Sequence, residues 1–286
     1  MKWIHRKIEK KRSALDNEEA SRTRRQMRQW YQASHLGSLL LELETELLND
    51  LLPTLFGYNL VQIGCLVDQN LLHSSQIPLH IVTIADAEPD LNTPDLVACP
   101  GALPIASDSV DLVVLHHTLE FAQDPHQVLR EVDRILIAEG HVVILGFNPL
   151  SVWGLWRLLF RRGDKPPWCA NFRDILRIKD WLALMGFDIS AQHYYAYRPP
   201  IHHQSLTKKL QFIERLGERF VPRLGGAYAL VAKKRECTLT PIKPRWWPRR
   251  AFVSGLAKPA TGRCPVCKQM HDASDVGAVP RRDWTW

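Results

Sequence analysis

A chain of 286 residues with 45% hydrophobic residues is long enough to bury a sizeable core, as one large domain or two small ones. Its opening, MKWIHRKIEKKR, is charged rather than apolar, and no apolar run reaches the roughly 20 residues of a spanning helix. A cytoplasmic protein without a transmembrane segment is therefore expected. The net charge of +7 is unevenly spread: residues 1–30 carry ten Lys/Arg against four Asp/Glu, residues 234–286 carry eleven against four, and the middle is left near −6. Basic arms on an acidic body suit nucleic acid or an anionic membrane surface, and equally suit plain solvation.

Leucine recurs at three- and four-residue intervals from Leu36 to Leu52, with Glu42, Glu44, Glu46 and Asp50 between, which predicts an amphipathic helix ending before Pro53. Its expected role is packing rather than chemistry. Five short apolar runs follow, at 58–64, 79–86, 95–98, 111–117 and 141–149. Such continuous apolar character over four to six residues predicts strands covered on both faces, hence a parallel sheet. Between the last two lies a helical pattern in which Val128, Leu129, Val132, Ile135 and Leu136 share a face. Asp124 and Pro125 start it, and Gly140 is expected to stop it.

The segment from Leu150 to Arg162 is dense in Trp and Leu. It reads as a lid over an apolar acceptor, a patch resting on a membrane surface, or core packing. A helix over 171–187, stopped at Gly186, a strand near 188–197, a helix near 205–220 and a strand over 225–234 bring the total to about seven strands. The alternation predicts an α/β, Rossmann-like, doubly wound and mostly parallel sheet. The expected domains are a basic segment and helix (1–52), the α/β body (53–233), and a basic Pro- and Trp-containing tail (234–286) that is extended or poorly ordered.

Six cysteines, at 65, 99, 169, 237, 264 and 267, have no framework spacing and read as free thiols. Cys264 and Cys267 form half of a zinc-ribbon knuckle; without a second pair, no metal is expected there.

The stretch 102–149 carries the most specific pattern: Leu103-Pro104, Val110 to Val113, His116-His117, Asp124-Pro125, and Ile137 to Gly140 with Ala138 where proline is usual. It closely resembles the class I S-adenosylmethionine-dependent methyltransferases, in particular the type 11 methyltransferase domain, and the resemblance extends from about Tyr58 to Lys233. It implies S-adenosylmethionine as cofactor and a glycine-rich turn after the first strand. That turn falls on Gln62, Gly64, Leu66 and Asp68, so two of three glycines are replaced and the acidic position is an amide. Weaker or rearranged cofactor binding is expected of so bulky a turn.

The resemblance further implies a ribose contact at Asp86, close to Glu88, and an adenine contact at Cys99, where the usual carboxylate is absent and recognition falls to backbone and apolar groups. His116 and His117 fall where the family places cofactor and substrate contacts. Methyl transfer demands no catalytic side chain, and none is assigned. Asn148-Pro149 reads as a turn. The implied function is methyl transfer to a small-molecule or lipid-like acceptor. The competing reading is a non-catalytic protein of this fold that binds nucleic acid or a protein partner through its basic termini, with Trp246 and Trp247 among the charges.

Overall fold

Seven strands form one sheet in the computed structural model, in the order β3-β2-β1-β4-β5-β7-β6. The structure describes residues 19–64, 71–85, 94–160, 166–200, 217 and 219–236, and these belong to one compact unit, Met1–Thr238. Leu66, Asp68, Asp86, Glu88, the helix expected near 205–220 except for a few of its last residues, and the tail beyond residue 236 with Cys264 and Cys267 lie outside the described residues.

Helix α1 covers residues 19–33, and α2 is His35–Leu51, followed by a 3-10 turn at Leu52–Thr54. Ser34 caps α2, its hydroxyl accepting from the Gly37 amide at 2.9 Å. The leucine stripe predicted for α2 is buried: Leu40, Leu48 and Leu52 are fully inaccessible, each contributing about 1.5–3 kcal/mol. They share one core with Met27 and Tyr31 of α1 and with the face of the sheet carrying Leu60, Leu112 and Val114.

The parallel strands are β1 (Asn59–Ile63), β2 (Leu79–Ile84), β3 (Leu96–Val97), β4 (Val110–His116) and β5 (Leu136–Phe147). Their alternate residues, Val61, Ile63, Val113 and Leu115, face the opposite core, where α4 (Pro125–Ile135) and α6 (Ile175–Leu184) pack. Burial on both faces goes with the largely apolar sequences of the central strands β1 and β4, Gln62 and Asp111 apart, whereas the outer β2 and β3 are only partly covered. Helix α3 (Thr118–Phe121) follows β4, and α5 (Val152–Phe160) follows β5. The last strands, β6 (Phe187–Tyr195) and β7 (Ala227–Lys234), are antiparallel, with β7 inserted between β5 and β6.

One boundary differs from expectation. Asp124 caps α4 through the His126 and Gln127 amides, as its position suggests, but the helix ends at Ile135 rather than Gly140. The terminal carbonyls of Arg134 and Ile135 are taken by the amides of Asp108 and Ser109, and Leu136 turns extended to pair with Val110. The extra residues before His141 shift the register, with Glu139 left-handed at φ 65°. Gly140 belongs to this irregularity: a Cβ there would lie 2.9 Å from the Ile137 carbonyl and 3.2 Å from that of Asp111. Among the described residues, no helix is long and apolar enough to cross a membrane.

Candidate active site

Strand order reverses between β1 and β4, and in open α/β sheets ligands bind in the crevice outside the carboxyl ends of the strands at such a point. A cavity of about 360 Å³ lies there, within the range that holds small ligands. Gly64, Ile84, Cys99, His116, Thr118 and Gln127 are among its walls, and α1 lends Arg24 and Arg28.

Gly64 is the turn after β1. Its φ of +82° is left-handed, and a Cβ would lie 2.5 Å from Thr118 Oγ1 and 3.0 Å from the His116 carbonyl oxygen. Only glycine lets the backbone pass this close at low cost. The turn is pinned on three sides: the Gly64 amide donates to the Thr83 carbonyl at 3.0 Å, the Gln62 side-chain amide donates to the Gly64 carbonyl at 3.1 Å, and the Thr118 hydroxyl donates to the Ile63 carbonyl.

Of the residues singled out in the sequence, Gly64, Cys99 and His116 therefore come together in the cavity wall, with His117 beside them. Gln62 does not line it. Its side chain is buried and supports the turn from behind. Cys99 is exposed, in a turn where the Ala102 amide donates to the Cys99 carbonyl at 2.9 Å. The next turn is fixed by Glu131, which accepts from the Leu103 amide at 2.7 Å and from Arg134. Asn148 is a turn residue, as its sequence context suggests: its side-chain amide donates to the Arg223 and Gly225 carbonyls, and its oxygen accepts from the Leu150 amide, all at 3.0 Å.

Behind the cavity sits a polar cluster that the sequence reading did not assemble. Glu44, on the leucine face of α2, is fully buried. One of its oxygens accepts from His116 Nε2 at 3.0 Å, and the other lies 2.9 Å from His117 Nε2 and accepts from the Tyr31 hydroxyl at 3.0 Å. The Tyr195 hydroxyl reaches the same oxygen at 3.5 Å. His117 has a left-handed backbone at φ 50°, and its Nδ1 meets Glu120 at 2.7 Å. Glu120 also accepts from the Phe147 amide.

The electrostatics follow from this geometry. Burial by itself disfavours an imidazolium, but the flanking Glu120 and Glu44 carboxylates outweigh it and raise the pKa of His117 to about 10. Burial likewise works against the Glu44 carboxylate, yet His117 and the two imidazole hydrogen bonds hold its pKa at about 2. Tyr31 and Tyr195 are pushed well above the phenol value, by burial first and by Glu44 next, so both remain donors.

Fold and cavity together define a class I S-adenosylmethionine-dependent methyltransferase: a parallel sheet extended by an antiparallel β7, with a glycine turn opening on the β1/β4 switch point. Comparison with known proteins agrees. A methyltransferase-domain family model matches residues 63–144. The chain is 32% identical over 198 residues to the uncharacterized protein YafS of Escherichia coli, a match spanning 68% of this chain and 77% of that one. Among solved structures, an S-adenosylmethionine-dependent methyltransferase of Thermotoga maritima shares the fold at a TM-score of 0.50 and 15% identity, over 67% of this chain and 88% of that one. A protein solved in complex with the Haloferax volcanii Trm112 methyltransferase activator does so at 0.50 and 17%, over 73% and 98%. The chain belongs to the S-adenosylmethionine-dependent methyltransferase family, whose cofactor is S-adenosylmethionine.

The described walls fit that cofactor. Gly64, lacking a Cβ, lets Thr118 and the His116 carbonyl close against the turn that forms part of the wall, and the volume suits a nucleoside-sized ligand. Arg24 and Arg28 place positive charge where a ligand carboxylate would be favoured.

Proposed function

We propose that the protein is a cytoplasmic enzyme that transfers a methyl group from S-adenosylmethionine to a small, lipid-like acceptor. The cavity at the Gly64 turn, walled on one side by arginines of α1 and on the other by the β4 exit, carries this reading. The cofactor supplies an electrophilic methyl carbon on its sulfonium; the protein's task is to bind, orient and exclude water. Gly64, with Gln62 and Thr118 pinning its backbone, would seat the methionine and ribose portion. Cys99 and Pro100 would flank the base, and His116 and His117 face the reacting end.

A lipid-like acceptor is favoured by α5. Trp153 anchors this helix in the core, its indole donating to the Arg198 carbonyl at 2.8 Å. Leu155, Leu158 and Leu159 instead face solvent, at 56%, 75% and 67% exposure. Three exposed leucines on one short helix are an apolar surface that a lipophilic acceptor or a bilayer face would cover.

The test is transfer of label from methyl-labelled S-adenosylmethionine, with a lipid extract and an aqueous extract as separate acceptor pools. Label moving into the organic phase, dependent on the intact Gly64 turn, is the expected result. Label confined to the aqueous pool would overturn the acceptor class, and no transfer to either pool would overturn the activity.

A further inference from the structure

We propose that Glu44, His116 and His117 form a binding site for a first-row divalent cation of the zinc type. The carboxylate comes from α2 and the two imidazoles from the end of β4, so the donors arrive from elements far apart in sequence and meet only in the folded chain. One carboxylate oxygen and one ring nitrogen from each histidine all lie within 4.8 Å of one another, and all three residues are buried. Bound to a tetrahedral ion at about 2.0–2.1 Å, such donors stand roughly 3.3 Å apart. Glu44 Oε2 lies 3.0 Å from His116 Nε2 and Glu44 Oε1 lies 2.9 Å from His117 Nε2, so the carboxylate reaches each ring through a different oxygen and coordination of one ion requires the three side chains to adjust around it.

The surroundings support the same assignment. A histidine that ligates a metal through one nitrogen almost always donates the other N–H to a carboxylate or carbonyl, which fixes the ring. His117 has that arrangement: its Nδ1 meets Glu120 at 2.7 Å while its Nε2 faces Glu44. The Tyr31 hydroxyl orients the Glu44 carboxylate in the same way. The charge of a divalent cation also fits, in competition with the proton that His117 holds between the two carboxylates. Glu44 and Glu120 are two buried carboxylates held by the same histidine, and one divalent cation with neutral imidazoles balances both. On binding, the cation takes the place of the His117 Nε2 proton, which leaves to solvent, and the His116 hydrogen moves from Nε2 to its buried Nδ1, which has no hydrogen-bond partner. Two imidazoles and one carboxylate leave a coordination position open, the pattern of a zinc that acts on a bound ligand rather than a closed structural site. His116 and His117 also line the cavity, so that position is next to the site of methyl transfer. The inference does not depend on the methyl acceptor, nor on methyl transfer itself.

The experiment uses the full-length chain carrying Cys264→Ser and Cys267→Ser, stripped with chelator and titrated with Co2+ and Zn2+ in the absence of S-adenosylmethionine. One equivalent of Co2+ giving visible d–d bands without thiolate charge-transfer bands is expected. X-ray absorption of the Zn2+ form should show two imidazoles and oxygen donors. Glu44→Gln and His116→Ala should each weaken binding at least tenfold, and Glu120→Gln by about 10–100-fold through the lost support of His117. Absence of the bands, sulfur donors, or an imidazole count other than two would overturn the site. So would unchanged affinity in Glu44→Gln and His116→Ala. If those variants fail to fold, the spectrum and donor count of the Cys264→Ser, Cys267→Ser chain decide alone.

Discussion

Gly64→Ala is the sharpest single perturbation of the cofactor turn. An alanine at φ +82° pays the left-handed cost of roughly 1–2 kcal/mol. Its Cβ would lie 2.5 Å from Thr118 Oγ1 and 3.0 Å from the His116 carbonyl oxygen, well inside ordinary van der Waals contact. Thr118 cannot swing aside freely, because its hydroxyl donates to the Ile63 carbonyl; giving up that bond costs about 1 kcal/mol. The total is about 2–3 kcal/mol of stability, read as a fall in the urea midpoint at unchanged slope. Thr118→Ala in the same chain removes the closer clash but leaves the dihedral cost. The double variant should therefore be less destabilised than the two single losses added together, by about 1 kcal/mol. A midpoint for Gly64→Ala equal to that of the parent, or strict additivity with Thr118→Ala, would refute the geometry assigned to this turn.

Glu131→Gln tests the neighbouring turn through pH. Arg134 first, and the Leu103 amide next, hold the Glu131 carboxyl below its usual value against the opposing effect of burial. Because its folded pKa is depressed, its contribution is present above the unfolded value near 4.3 and is lost as pH falls through the folded pKa. Glu131→Gln should cost roughly 1–2 kcal/mol at pH 7, with the gap to the parent closing below pH 4 in thermal melts. A gap constant with pH would contradict this. Leu158→Gln combined with Leu159→Gln should change stability by less than about 0.5 kcal/mol, since both side chains are exposed. Transfer to a lipophilic acceptor should nevertheless fall, and an unchanged rate would remove α5 from acceptor binding.

Much of the sheet was legible because parallel strands covered on both faces leave continuous apolar runs, as at Leu112–Leu115 and Val142–Leu145. Capping chemistry placed the start of α4 at Asp124 for an equally local reason. Its end was not legible: Ile137 continues the apolar pattern, while the actual stop depends on the 108–109 amides and on Leu136 pairing with Val110, both tertiary. The Gly64 turn could be placed, since a strand followed by glycine is a local signal; that Gln62 supports the turn rather than lining the cavity could not.

The Glu44 cluster was missed although a signal existed. Glu44 falls four residues after Leu40 and four before Leu48, inside the buried stripe, whereas Glu42 is exposed. A carboxylate in an apolar stripe needs partners, but those partners, His116 and His117, lie more than seventy residues away. Arg24 and Arg28 likewise looked like part of a basic arm until α1 brought them to the cavity.

The central claim, that the β1/β4 crevice seats the adenosyl cofactor despite its altered loop, is tested most directly by calorimetric titration with S-adenosylhomocysteine. Saturable binding at one site per chain, abolished by Gly64→Val in a protein that still folds by circular dichroism, is the predicted result. No heat of binding at millimolar ligand, or binding that Gly64→Val leaves intact, would contradict it.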